Sequence, residues 1–187
     1  MTPRRRLVVL GALLGASLVA LHFRTAIQSV AWGREQPGHA SAGQPAPEVP
    51  DTVRTLDGKP LRLKDLRGRV LLLHFWTFAC SNCHHMLPRY SAWARELGPR
   101  GLSVVGAHTP ELPEEFDEVK LARFVRESAI AWPVLVDSGY ALWDRYGVHA
   151  WPTMVVIDRQ GVVRGTFVGD DQAAPLEALL QKLLAQP

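Results

Sequence analysis

The sequence predicts an α/β fold, a central mixed β-sheet with helices on both faces, preceded by an N-terminal transmembrane or signal helix. Three observations carry this. Short apolar runs alternate with segments of helical periodicity, the pattern of strand–helix–strand units. The last two apolar runs, Met154–Asp158 and Val162–Val168, are separated only by Arg159-Gln160-Gly161. That is a hairpin turn, so an antiparallel pair joins a sheet whose other connections are crossovers. Finally, Leu7 to Phe23 carries no formally charged residue and follows Arg4-Arg5-Arg6, the layout of an export signal or anchor.

The elements follow in order. The apolar stretch 7–23 is longer than many signal cores and slightly short of the about 20 residues that a spanning helix needs. Arg24 closes it at once, which favours an uncleaved anchor with Arg4–Arg6 inside; Ser29-Val30-Ala31 is a weak cleavage site for the alternative, a secreted form. Either reading puts the rest of the chain outside the cytoplasm. In a Gram-negative cell that means an inner-membrane anchor and a domain facing the periplasm. Residues 33–50, rich in Gly, Pro, Ala, Ser and Gln, read as a flexible linker. The expected organisation is therefore 1–32 anchor, 33–50 linker, 51–187 domain.

Within the domain, Leu56-Asp57-Gly58-Lys59 predicts a short hairpin and Val70–Trp76 a buried strand. A helix follows from about Cys83 to Leu97, with Pro88 inside it as a kink. Leu102–His108 is the next buried strand, and the acids from Glu114 to Glu118 open a helix to about Ser128. Pro133–Val136 is a short strand, Tyr140–Tyr146 a short helix, and Pro175–Leu184 the closing helix.

Charge excludes one class of function. Four of the 21 basic residues, and none of the 18 acidic ones, lie in residues 1–32, so the remainder carries a net charge of −1. There is no basic stripe interleaved with aromatics, and no nucleic-acid partner is expected.

The chemistry sits at the only two cysteines of the chain, Cys80-Ser81-Asn82-Cys83. A helix N-terminus offers unpaired N–H groups and the positive end of the dipole, so it favours a thiolate, the species that attacks disulfides. The second cysteine lies one turn later, within reach of the first. The expected roles are Cys80 as attacking thiolate and Cys83 as resolving thiol, with no cofactor and no metal. His74 and His84 are the acid/base candidates, because imidazole titrates near neutrality. Glu111 and the acids Glu114–Glu118 read as a solvated face.

Other chemistries share these residues. Cys80 to His84 spells C-x-x-C-H, the haem c attachment pattern. The two thiols with His84, His85 or His108 are a soft set for copper(I), which would make a copper-binding carrier. Thr77-Phe78-Ala79-Cys80 matches the T-x-x-C of a thiol peroxidase, although Leu73 stands where that site has proline.

With these motifs in order, residues from about Ala46 to Leu184 resemble the thioredoxin-fold, membrane-anchored TlpA/ResA-like thiol–disulfide oxidoreductases. The matching features are Phe75-Trp76 before the site, C-x-x-C, Pro88 five residues on, and Trp151-Pro152-Thr153 before Met154–Asp158. Trp76-Thr77-Phe78 and His108-Thr109-Pro110-Glu111 are similar to the DipZ C-terminal and NHL-repeat thioredoxin subgroup. The resemblance implies a cis bond at Pro152 and a substrate groove shaped by Trp76, Trp151 and Pro152. It implies dithiol–disulfide exchange with exported cysteine-containing proteins, in the reducing direction, for example in cytochrome c maturation. The implied partner is a membrane electron donor of the CcdA/DsbD type. One departure is plain: where thioredoxins carry a buried Asp, six residues before the first cysteine, this chain has His74, and Leu102–His108 lacks the accompanying Lys.

Overall fold

The computed structural model describes residues 40–186; the expected anchor and the first part of the linker lie outside them. Among the described residues no helix is long and apolar enough to cross a membrane.

Six strands form one sheet in the order β1-β4-β3-β2-β5-β6. They are β1 (Arg54–Thr55), β2 (Val70–Trp76), β3 (Leu102–His108), β4 (Val134–Val136), β5 (Thr153–Ile157) and β6 (Val163–Val168). The helices are α1 (Ser81–Leu97), α2 (Glu118–Glu127), α3 (Ala141–Tyr146) and α4 (Ala173–Leu184), with short 3-10 turns between. Strands β2, β3 and β4 run parallel, while β5 pairs antiparallel with β2 and with β6. The sheet is mixed, as the hairpin at Arg159-Gln160-Gly161 requires. Gly161 adopts φ 81° there, and Asp158 Oδ1 accepts the N–H groups of Gln160 and Val162 at 3.0 and 2.9 Å.

β2 is buried along its whole length because it is central and covered on both faces. Alternation sorts its side chains. Val70, Leu72 and Trp76 join Met86, Tyr90 and Trp93 of α1 and Leu176 and Leu180 of α4 in one core layer. Leu71, Leu73 and Phe75 face the other way, onto Leu142, Trp143 and Tyr146 of α3. His74 has the parity of the first set, which puts it under α1.

Two readings are corrected. The hairpin at Asp57-Gly58 is only a turn: Gly58 N–H donates to Thr55 O at 2.8 Å, but the strand partner of β1 is β4. Pro60 follows, and with no N–H it does not extend a ladder. The ordered domain also starts earlier than residue 51. Gly43 N–H donates to Val163 O, Val163 N–H to Gln44 O, and Ala46 N–H to Gly161 O, at 2.8–3.0 Å. Glu48 accepts the N–H groups of Leu63 and Lys64, and Val49 is buried. A Pro-rich segment has few donors, and those of Gly43 and Ala46 are placed on Val163 and Gly161, around the turn that leads into β6. Helix α1 runs unbroken through Pro88.

Candidate active site

β2 ends at Trp76, and the chain turns through Thr77-Phe78-Ala79 to reach Cys80, the N-cap of α1. Cys80 and Cys83 are joined by a disulfide, with Cα atoms 5.3 Å apart. The Cys83 N–H donates to Cys80 Sγ, 3.2 Å away, so the sulfur itself caps the helix. Cys80 is half-buried and Cys83 only 1% exposed. The asymmetry follows from the helix: N-cap residues sit at its tip, while the third residue on faces the core.

The register of β2 with β5 pairs Phe75 with Thr153, so Trp151-Pro152 comes alongside the end of β2 from which the cysteine loop departs. The Trp151–Pro152 bond is cis. Pro152 O accepts the Gly169 N–H at 2.9 Å. Trp151 is half-buried; its Nε1–H donates to Thr109 O at 3.0 Å and its ring lies 4.4 Å from Trp143. Pro152 itself is buried.

Two expectations change. Trp76 is 0% exposed, with its ring against His108 and Phe124. It offers no surface to a substrate and is a core residue. His74 is also fully buried, stacked on Tyr90 at 4.2 Å; burial lowers its pKa to about 3. A base that weak does not hold the Cys83 proton at neutral pH, so the acid/base role fails on desolvation. His84 is exposed and its Nε2 lies 2.7 Å from Phe78 O, with the ring stacked near Phe124. It braces the loop to the cysteines.

Sequence reasoning missed the group beneath that loop. Glu115, read as part of a solvated acidic face, is 1% exposed. Its Oε1 accepts the Thr77 hydroxyl and the Ala79 N–H, the latter at 2.8 Å. Its Oε2 accepts the N–H groups of Glu111 and Leu112 at 2.7 and 2.8 Å. Burial pushes the carboxyl up, but these hydrogen bonds, Thr77 foremost, outweigh it and hold the group below its usual range. His108 Nε2 lies 3.3 Å from Thr77 Oγ1; burial lowers this imidazole to about 4, against a smaller upward pull from Glu115. The only sequence signals were the polar residues Thr77, just past β2, and His108, the last residue of β3.

Among the described residues no group of three His, Cys, Asp or Glu is disposed to hold a metal ion. A mostly apolar cavity of about 600 Å³, bordered by Leu56, Val125 and Trp132, opens near the β1–β4 edge; neither cysteine lines it.

Comparison with known proteins agrees with this geometry. The family model described as AhpC/TSA matches residues 42–166. Protein DipZ of Mycobacterium tuberculosis is 35% identical over 132 residues, covering 71% of this chain and 19% of that protein. The chain thus spans about a fifth of the length of this relative. The thiol-disulfide oxidoreductase ResA of Bacillus cereus is 30% identical over 137 residues, covering 73% of this chain and 76% of ResA. A thiol:disulfide interchange protein DsbE from Chlorobium tepidum superposes with a TM-score of 0.70 at 24% identity, over 78% of this chain and 99% of the other.

Proposed function

The chain belongs to the AhpC/TSA family as a thioredoxin-fold thiol–disulfide oxidoreductase, and from that premise we propose that it reduces disulfides of exported proteins from a membrane tether. The observation that carries the reading is the asymmetric pair, an accessible Cys80 at a helix N-terminus and a buried Cys83 one turn in. In the reduced protein the Cys80 thiolate attacks one sulfur of a substrate disulfide. That S–S bond breaks, one substrate sulfur leaves as thiolate, and a mixed disulfide forms. Cys83 then loses its proton and attacks Cys80 Sγ, releasing the second substrate sulfur. Two electrons pass to the substrate and the Cys80–Cys83 disulfide remains. Trp151 and Pro152 border the approach on the β5 side.

The leader supports a domain outside the cytoplasm, anchored in the inner membrane with the site in the periplasm. That compartment is oxidising, so the pair needs a dithiol donor in the membrane, of the CcdA/DsbD type, to return it to the reduced state. Apocytochrome c is the example of an exported cysteine protein that the likeness to ResA brings forward. The peroxidase alternative is disfavoured by one contact: the Thr77 hydroxyl is committed to Glu115 rather than to Cys80.

The test is insulin-disulfide reduction by the full chain, with the potential of the pair read in redox buffers. Wild type is active and Cys80→Ser inactive if the roles are right. A potential near about −270 mV supports a reductant, and one near about −120 mV would overturn the direction.

A further inference from the structure

We propose that Glu115 is the positioning residue of the cysteine pair, clamping the Thr77–Ala79 approach to Cys80 onto the β3–α2 loop and setting the acidity of the Cys80 thiol with a fixed negative charge. The proposal deepens the oxidoreductase reading and rests on it.

The geometry is specific. Both carboxylate oxygens are fully used, one on the cysteine loop (Thr77 Oγ1, Ala79 N) and one on the loop after β3 (Glu111 N, Leu112 N). Ala79 is the residue immediately before Cys80, so the clamp acts one peptide from the reacting sulfur. The carboxylate is buried, yet among the described residues no cation pairs with it. A buried carboxylate without a cation is costly, and four donors are what hold it.

The surroundings leave the charge standing. His108, beside Thr77, is kept neutral by burial. Tyr140, on the far side, gives its hydroxyl to Pro110 O. Glu111 and Asp137 are further acids that act with Glu115 on Tyr140, and from α1 His84 reaches Phe78 O. Against this field stand the Cys83 N–H and the helix N-terminus, which favour the Cys80 thiolate. Glu115 opposes them and so raises the Cys80 pKa while keeping the loop in place.

The experiment reads the pH dependence of Cys80 alkylation by iodoacetamide in the reduced full chain, in non-ionic detergent and on a Cys83→Ser background. Glu115→Gln removes the charge and should lower the midpoint by about half to one pH unit. In the two-cysteine chain the same substitution should make the potential more oxidising. Glu115→Asp keeps the charge but shortens the clamp: its midpoint should stay within about 0.3 unit of wild type, while insulin reduction slows. A residue that only holds the fold would show no fall with Gln, or a rise as the N-cap loosens, and that result overturns the proposal. If Glu115→Gln does not fold, judged by near-ultraviolet circular dichroism, Glu115→Asp decides alone: a midpoint displaced as far as the Gln expectation overturns it. Failure of the oxidoreductase reading is separate, because it shows as Cys80→Ser retaining insulin reduction in the otherwise wild-type chain.

Discussion

Acid should destabilise this domain through two neutral imidazoles, well above the pH at which carboxylates protonate. His74 and His108 are both 0% exposed, and burial lowers them from 6.5 to about 3 and about 4. For each ring the unfolded chain binds a proton that the folded chain does not. The stability is therefore fully present above about pH 6.5 and is lost as pH falls from there toward the folded values. At about pH 5 each ring contributes a loss of about 2 kcal/mol, about 4 kcal/mol for the pair. Asp137 works the other way: burial raises its carboxyl despite the N–H groups of Leu142 and Trp143, so it gains its proton first in the folded state and offsets part of this at still lower pH. The assay is urea unfolding of the full chain in non-ionic detergent, followed by near-ultraviolet circular dichroism. With a slope of about 2 kcal/mol per M, the midpoint should fall by about 2 M between about pH 7.5 and pH 5. His74→Leu, which keeps volume and cannot titrate, should lose about half of that dependence. A wild-type midpoint that moves by less than about 0.5 M, or a His74→Leu chain that keeps the full dependence, would refute the reasoning.

Two further substitutions test the packing that supports the site. Gly106→Ala would put a Cβ 2.8 Å from Trp76 Nε1 and 3.0 Å from His74 Nε2; in so closed a layer it should cost about 1–3 kcal/mol, a drop of roughly 5 °C in thermal midpoint, and an unchanged melt would show that the layer yields. Asp137→Ala removes the acceptor for Leu142 N–H at 3.0 Å and Trp143 N–H at 2.9 Å. The start of α3 is left with buried unpaired donors, at about 2–3 kcal/mol, and a loss under about 0.5 kcal/mol in urea unfolding would contradict it.

Much of this was legible in the residues. Val70–Trp76 reads as a strand because it is apolar but for His74, and a strand buried on both faces needs such a run. Leu102–His108 was readable on the same ground, and its bounds match β3. Asp117, near the end of the acidic run, caps α2 by accepting from Val119 N–H and Lys120 N–H, a local event that sequence carries. Glu115, two residues earlier, looks the same in sequence and does the opposite: it is buried. What separates them is the arrival of the Thr77–Ala79 loop, 36 residues away along the chain from its nearest contact. His74 is similar. Its parity on β2 was plain, but its neutrality comes from Tyr90 and Trp132 closing over it.

The strand–helix order, the hairpin that makes the sheet mixed and the C-x-x-C pair at a helix tip are local, because each depends on neighbours a few residues apart and on the periods of helix and strand. Which polar side chains lose their water is set by packing between residues far apart along the chain. Desolvation is a property of what packs around a group, so it made Trp76 core, His74 a weak base and Glu115 the clamp beneath Cys80.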